Sequence, residues 1–289
     1  KACGIPSLEV VKKLTELILS EGGKEDLTTS FLRAAISKSV EICQFFVEKN
    51  VFIDYERISS SLSKLSTVSY EILTIIIENS SPEVKNTILM FHLYPAIKNC
   101  NKELVEFLLS MNAPSENALI EASLSNEIDM VNIVLKHNNK PSFINRLTNI
   151  GTALSIAAEN NNLSIINLLL SYKGIDPSIA NKKGKTPLII AVLNLNLDII
   201  NAILDFYGDN IQSQIWQIDE ALKVLLNSVF SLPNTYSDCI IDHISNAETN
   251  ENNIKVLKRF LEIENINPNC YGDYYTFLTF ACKIKEKTS

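Results

Sequence analysis

The tripeptide Gly184-Lys185-Thr186 comes closer than any other segment of this chain to a motif with its own chemistry. A phosphate-binding loop ends in Gly-Lys-Ser/Thr and has another glycine five residues earlier, because its backbone N–H groups must wrap around the phosphates. That earlier place is occupied by Ile179, and Pro187 follows the motif directly. The segment therefore favours a turn in which Thr186 caps a helix that begins at the proline.

The three histidines could supply a general base or a metal ligand, but each stands alone in the sequence. His92, His137 and His243 have no cysteine or carboxylate partner at the spacing of a metal site. We therefore expect surface or helix-end histidines, and no metal or other cofactor. The chain also lacks the G-x-S-x-G and H-E-x-x-H motifs of hydrolytic enzymes. We predict that it is not an enzyme.

The cysteines are scattered without the C-x-x-C spacing of zinc and redox sites. They are Cys3, Cys43, Cys100, Cys239, Cys270 and Cys282. This pattern favours free thiols in helices of a reducing compartment over a disulfide framework. Cys43 lies inside an apolar run, so we expect it in the core.

Composition limits the class of partner. Hydrophobic residues make up 46% of the 289 residues, which is enough to build a core. A net charge of −7 argues against nucleic acid or an anionic membrane as the main partner. No apolar run approaches the roughly 20 residues that cross a bilayer. We expect a protein of the cytoplasm, with the nucleus as the alternative.

One eight-residue pattern recurs along the chain: apolar, acid, two apolar, two variable, two apolar. We call each copy an octet. The octets begin at residues 8, 40, 70, 102, 128, 163, 197 and 254. A period of about 33 residues is the signature of a helical solenoid, in which each unit buries its apolar face against its neighbours. The acid at the second place would lie in the first turn of a helix, where the helix dipole favours negative charge.

A second pattern, Leu-x-x-Ala, precedes most octets, and each alanine lies six residues before its octet. The pairs are Phe31/Ala34, Leu93/Ala96, Leu119/Ala122, Leu154/Ala157 and Leu188/Ala191, and Leu278/Ala281 would open one more repeat. For the octets at 70 and 254, Ser61/Lys64 and Ser245/Glu248 occupy the equivalent places. Alanine at this position would let a neighbouring helix approach closely. We predict a short inner helix, as in 187–193, a tight turn, and a longer outer helix, as in 197–206.

Extended loops, which we call fingers, are predicted between the repeats at 50–56, 174–184 and 265–272. The parallel segments Ile175-Asp176-Pro177 and Ile266-Asn267-Pro268 support this prediction, as do Gly184 and Gly272, where positive φ is expected. Only eight residues separate Leu109 from Ala118, so that finger should be missing. We expect a divergent helical region at 206–253, with helices near 212–230 and 238–245, and an incomplete last repeat at 254–289. Both ends look cut, so we expect a longer protein.

The stretch 151–204 reads GTALSIAAENNNLSIINLLLSYKGIDPSIANKKGKTPLIIAVLNLNLDIINAIL. It resembles two successive ankyrin repeats, with their Thr-Pro-Leu start, Ala-Ala pair, apolar second helix and Asp-Pro/Asn finger. The resemblance is sharp for residues 118–205 and looser elsewhere, in a style similar to degenerate ankyrin proteins of parasitic protists. It implies an all-α, ankyrin-type solenoid of about seven to eight units over residues 1–289. It also implies a monomer that binds another protein through its fingers and concave inner face.

The chain departs from the ankyrin pattern at two places. The histidine after Thr-Pro-Leu is replaced by Ser155 and Ile189, which removes the hydrogen bonds that this histidine makes between repeats. The glycine of the turn between the helices is replaced by Asn161 and Leu195. We therefore expect some units to be less stable than a consensus array.

A basic cluster marks the predicted tip of the clearest finger. It comprises Lys182, Lys183 and Lys185, beside Arg146 on the preceding finger. One interpretation is a hook for an acidic partner surface, and the other is a set of solvated turn residues.

Further polar residues would be exposed along the same inner ridge in ankyrin geometry. They are Asn149, Glu159, Asn160 and Asn194. Together with the basic cluster they form the predicted protein-binding site.

Three functional hypotheses remain open at this stage. The first is a non-enzymatic scaffold or adaptor that binds a partner protein. The second is the substrate-recruiting segment of a larger enzyme, such as a protein kinase or ubiquitin ligase. The third is a structural spacer or cytoskeletal anchor. Fold alone does not choose among them, because one architecture serves many functions.

Overall fold

The computed structural model describes residues 8–20, 27–50, 53–55, 57, 69–208, 218, 220, 221, 224, 255, 256, 259, 260 and 263. These residues contain thirteen continuous α-helices and no β-strand. The all-α prediction is confirmed. The chain forms two compact units, residues 1–118 and 119–289. That all repeats stack in one continuous solenoid stays a prediction.

The helices begin where the octets begin. The first unit contains α1 (Leu8–Ser20), α2 (Thr28–Ile36), α3 (Val40–Glu48), α4 (Tyr70–Glu78), α5 (Pro82–Lys98) and α6 (Lys102–Ser110). Then follow α7 (Ala118–Leu124), α8 (Ile128–His137), α9 (Pro141–Ile144), α10 (Ala153–Glu159), α11 (Leu163–Leu170), α12 (Pro187–Leu193) and α13 (Leu197–Tyr207). Helices α1, α3, α4, α6, α8, α11 and α13 each start at the first residue of an octet.

The outer helices bury the apolar stripe of the octet. In α11 the buried residues are Ile165, Ile166 and Leu169, and all three are fully inaccessible to solvent. Helix α13 buries Ile199, Ile200, Ile203, Leu204 and Tyr207. The spacing of three and four residues places these side chains on one face, which packs against the neighbouring repeat. The apolar residues of the octet therefore form the core of each of these repeats.

The inner helices carry the predicted alanines, and the five of these that the structure describes are buried. Ala157 of α10 and Ala191 of α12 are fully inaccessible to solvent. Helix α10 packs against α12, and outer helix α11 packs against α13. The second unit therefore has an inner and an outer layer over these repeats.

Helix α5 departs from the short inner helix. It spans 17 residues, from Pro82 after the capping Ser81 to Lys98, and includes the predicted pair Leu93/Ala96 in its second half. Because α4 ends at Glu78, the connection between α4 and α5 is too short for a finger.

The turn between inner and outer helix requires a left-handed backbone. The residue two places before the octet has φ between +53° and +61° in five repeats. These residues are Lys38, Cys100, Asn126, Asn161 and Leu195. Asparagine tolerates this conformation, whereas a Cβ with longer substituents is strained there. Cys100 thus lies in a turn and not in a helix, which corrects our expectation of helical thiols.

Asparagine side chains connect successive repeats at the ends of the inner helices. Asn160, the C-cap of α10, donates from Nδ2 to the carbonyl oxygen of Ser123 at 3.3 Å. Asn194, the C-cap of α12, donates in the same way to the carbonyl oxygen of Ala158 at 3.1 Å. Each carbonyl lies at a helix end and also accepts from a backbone N–H of the following turn, that of Asn126 or Asn161, so the asparagine adds a second bond from the next repeat. Hydrogen bonds between repeats are thus present, although the histidine is not.

A second set of asparagines caps the outer helices and reaches the preceding turn. The Oδ1 of Asn162 accepts from the N–H of Ile165 at 3.0 Å, and its Nδ2 donates to Oδ1 of Asn126 at 2.9 Å. Asn196 repeats the arrangement, donating to Oδ1 of Asn161 at 3.2 Å. One side chain therefore stabilises both its own helix and the contact with its neighbour.

Arg259, in the octet that begins at 254, contacts α13 although the two octets begin 57 residues apart. Nε of Arg259 donates to Oδ1 of Asn201 at 2.8 Å, and its guanidinium pairs with Asp205 at 3.1 Å. Ile218 and Ala221 are helical and fully buried, with the spacing of an inner pair. This pair has the burial and spacing of an inner-helix pair.

Several predicted features lie outside the described residues. They include the finger at 265–272 with Gly272, the pair Leu278/Ala281, the equivalent places Ser61/Lys64 and Ser245/Glu248, His243, the helix at 238–245 and most of the helix at 212–230. Cys3, Cys239, Cys270 and Cys282 also lie outside them.

The prediction of a surface histidine is wrong for His92. This residue lies in α5 and is buried, and its Nε2 has no hydrogen-bond partner. Its ring makes an edge contact with Phe91 at a centroid distance of 5.9 Å. Burial lowers the pKa of His92, because the apolar surroundings disfavour the charged imidazolium. His137 is exposed at the end of α8, as expected.

We expect Lys38→Gly to stabilise the protein. Lys38 is exposed with φ +59°, so glycine relieves the backbone strain without removing a packed side chain. The free energy of unfolding should rise by about 0.5–1 kcal/mol relative to Lys38→Ala, which keeps the Cβ. Urea denaturation followed by circular dichroism measures the difference. Equal stability of the two variants would show that the turn is not strained.

We also expect stability to fall as the pH is lowered through about 6.5, the ordinary pKa of histidine. The folded state holds His92 neutral, so below this pH the unfolded state binds the additional proton and is favoured. His92→Leu should lose less stability than the parent between about pH 7.5 and pH 5.5 in urea titrations. His137→Gln, at an exposed helix end, is the matched control. The explanation is wrong if parent and His92→Leu respond equally.

Candidate protein-binding site

The finger after α11 is fixed at its base by one asparagine of the preceding repeat. Nδ2 of Asn145 donates to the carbonyl oxygen of Gly174 at 2.7 Å, and its Oδ1 accepts from the N–H of Asp176 at 2.9 Å. The carboxylate of Asp176 in turn accepts from the N–H of Ser178 at 2.9 Å. The two bonds of Asn145 hold the start of the finger, at 174–176, against the preceding repeat.

The tip of this finger is a tight turn organised by Asn181, which is 7% exposed. Its Oδ1 accepts from the N–H groups of Lys183 and Lys185, both at 3.0 Å. The backbone N–H of Asn181 donates to the carbonyl oxygen of Lys185 at 2.9 Å. Gly184 has φ +71° and no atom near the place of a Cβ, so glycine is required here by conformation and not by space.

The turn presents the predicted lysines to solvent. Lys182 and Lys183 are exposed, and Lys185 is half-buried. Nζ of Lys182 donates to Oδ1 of Asn149 on the preceding finger. The ion pairs found among the described residues involve none of the three lysines. Their charge is therefore not neutralised by a described carboxylate.

The preceding fingertip is a second turn beside the first. Both the N–H and the hydroxyl of Thr148 donate to the carbonyl oxygen of Gly151, at 3.0 and 2.8 Å. Asn149 and Ile150 occupy the exposed tip, and Leu147 is also exposed. Arg146 is half-buried next to them. The structure thus brings Lys182 into contact with Asn149. That these residues form a protein-binding site stays a prediction.

Both fingertips lie within a segment that matches a known family. Residues 137–215 match the family model of ankyrin repeats (3 copies). Residues 137–215 therefore contain ankyrin repeats. The octets and buried alanines of the first unit follow the same spacing. No curated protein matches the chain.

Ankyrin repeats generally bind other proteins and are typically non-catalytic. In the part of the chain that the structure describes, no helix combines the length and apolarity needed to cross a bilayer. Among the same residues, no three metal-ligating side chains come together.

The ankyrin ridge residues lie at the ends of the inner helices. Glu159, Asn160 and Asn194 are exposed, as predicted. The amides of Asn160 and Asn194 are already bonded to carbonyl oxygens of the preceding repeat. These two asparagines therefore stabilise the stack, and only their remaining surface is available to a partner.

Two titrating groups of the first unit, Cys43 and Tyr55, have strongly raised pKa values. Burial raises the pKa of the Cys43 thiol to about 12, which keeps it protonated and unreactive. The pKa of Tyr55 is also raised to about 12, first by burial and then by Cys43. Hydrogen bonds from its own backbone and from Ser69 lower the pKa of the exposed Glu71, which agrees with a capping role for the acid of the octet.

Sequence reasoning missed Asn145, Asn181, Leu147 and Ile150. The two asparagines organise the fingers, and the two aliphatic residues add apolar surface beside the lysines. The sequence contained one usable signal. Thr148 and Asn181 stand at equivalent positions of successive repeats, each directly before its fingertip. Only the hydrogen bonds show that these residues fix the turns.

We expect Asn181→Ala to disorder the basic fingertip, because two backbone N–H groups lose their acceptor. The cost of leaving them unpaired is about 1–3 kcal/mol. Asn181→Asp keeps the acceptor oxygen and is the matched control. Hydrogen–deuterium exchange of residues 181–185 should accelerate in the alanine variant and stay near the parent rate in the aspartate variant. Unchanged protection in Asn181→Ala would contradict this role.

Proposed function

We propose that this chain is a non-enzymatic scaffold or adaptor that binds a partner protein through its fingers and the concave face of its inner helices. The observation that carries the proposal is a rigid, basic fingertip on an acidic chain. Lys182 and Lys183 project from a turn whose backbone is held by Asn181. The net charge of the whole chain is −7, so this local positive surface stands out.

A preformed fingertip favours binding for an entropic reason. Ordering a loop upon association opposes binding, and a loop that is already ordered avoids this cost. The turn at 181–185 has two side-chain-to-backbone bonds and two bonds within its backbone. The backbone that carries the lysines is therefore already ordered before any partner arrives.

The exposed ridge supports a contact that extends beyond the fingertip. Glu159, Asn160 and Asn194 would form a polar rim, while the lysines would steer an acidic surface into place. We further propose that the chain acts as a monomer in the cytoplasm. Its negative charge opposes nucleic acid and anionic lipid as competing partners.

A charge-reversal experiment tests the binding function. The immobilised chain should enrich a reproducible set of proteins from a cell extract, as measured by quantitative mass spectrometry. Reversal of the fingertip charges in Lys182→Glu/Lys183→Glu/Lys185→Glu should reduce capture of the main partner about tenfold or more. The loss should be largest at low salt, where charge attraction is least screened.

The matched control makes the same change in net charge elsewhere in the unit. Lys136, Lys140 and Lys173 are exposed, and their reversal should leave capture near the parent level. If nothing is enriched over uncoupled resin, the binding function is wrong. If both triple variants capture the partner equally, binding does not use the basic fingertip.

A further inference from the structure

The two fingertips form one surface on the second unit. Lys182 of one tip contacts Asn149 of the other through its ammonium group. Each tip is closed by its own hydrogen bonds, at 148–151 and 181–185. The two turns are therefore each closed by hydrogen bonds and contact each other through Lys182 and Asn149, and we call them the paired fingertips.

The paired fingertips carry apolar as well as basic side chains. Leu147 and Ile150 are each 49% exposed, although both are large and aliphatic. Isolated exposed leucines are ordinary on protein surfaces. Here one leucine and one isoleucine lie within four residues, next to a lysine-rich turn. Covering them on binding would remove apolar surface from water, which favours association.

The positive charges of the fingertip lysines favour an acidic partner. Lys182 and Lys183 have no carboxylate among the ion pairs of the described residues, so an acidic partner can supply the counter-charge. A polyanion such as nucleic acid would satisfy the lysines and leave the aliphatic side chains uncovered. It would also meet the repulsion of a chain with net charge −7. A protein segment offers both kinds of contact at once.

We propose that the paired fingertips bind an acidic protein segment that carries at least one large apolar side chain. The carboxylates of that segment pair with Lys182 and Lys183, and its apolar side chain packs on Leu147 and Ile150. This inference rests on the proposed binding function and adds the class of ligand to it.

Selection from a random peptide library tests the ligand class. The probe is a phage-displayed library of peptides about a dozen residues long, selected on the immobilised chain. Enriched peptides should combine several Asp or Glu residues with Leu, Ile, Phe or Trp. Enrichment of basic peptides, or of acidic peptides without apolar residues, would overturn the proposal.

Variants of the chain then locate the binding surface, using fluorescence anisotropy with the best selected peptide. Leu147→Ser/Ile150→Ser should weaken binding about tenfold, because two partly exposed aliphatic side chains are lost. Lys182→Glu/Lys183→Glu should weaken it by about tenfold or more and remove most of its salt dependence. The proposal requires both the aliphatic pair and the lysine pair. If only one of the two double variants weakens peptide binding, the inference is wrong.

The controls make the same chemical changes at other exposed positions of the second unit. Leu124→Ser removes another exposed leucine, and Lys136→Glu/Lys173→Glu reverses two other exposed lysines. Both should bind the selected peptide as the parent does. Equal losses in the controls would show a general effect of charge or folding and would overturn the assignment of the surface.

The outcomes separate this inference from the proposed function. If the chain captures proteins from extract but the fingertip variants bind them normally, only the ligand inference fails. If it captures neither proteins nor peptides, the binding function fails as well. Binding to vesicles of phosphatidylserine and phosphatidylcholine that both fingertip variants abolish would assign the surface to a membrane instead.

Discussion

The close approach of neighbouring inner helices is the constraint on which the repeats depend. Ala157 and Ala191 face this contact and are completely buried. A larger side chain at either place would push the helices apart, and protein interiors have no spare volume to absorb it. Only at this separation can outer helices α11 and α13 bury Ile165, Ile199 and their neighbours. The distance between neighbouring inner helices also sets the distance between successive fingers.

In this chain asparagine takes the structural roles that the ankyrin pattern gives to the turn glycine and to the histidine. It occupies left-handed turns at Asn126 and Asn161 in place of glycine, because its short polar side chain tolerates positive φ. At Asn160 and Asn194 it closes inner helices and bonds to the preceding repeat. The hydrogen bonds lost with the missing histidine are thus replaced at another position. An asparagine-rich composition is therefore compatible with well-connected repeats.

The fingertips show how a stack of helices produces a defined surface. The repeat spacing places one finger beside the next, so Lys182 meets Asn149 although 33 residues separate them. Hydrogen bonds inside each turn then hold the tips in shape without a hydrophobic core of their own. Such a surface can be acidic, basic or apolar without affecting the fold beneath it. Because the fingertip surface can vary without changing the core, we expect the fingers, and not the octets, to determine which partner binds.

The sequence by itself determined the local features of this protein. Every octet in the continuously described helices begins a helix, because apolar spacing and caps such as Asn196 act within a few residues. The inner helix at 187–193 starts for the same kind of local reason, after the cap Thr186 and at Pro187. The positions of the buried alanines and of the basic fingertip were also predictable for this reason.

Only the tertiary structure decided the features that depend on contacts between repeats. These include the burial of His92, the asparagine bonds across repeats, the apolar surface of Leu147 and Ile150, and the burial of Ile218 and Ala221. The physical reason is that burial and hydrogen-bond partners depend on which surfaces the stack brings together. Residues some 30 positions apart meet only after the helices have packed, so no local pattern records their contact.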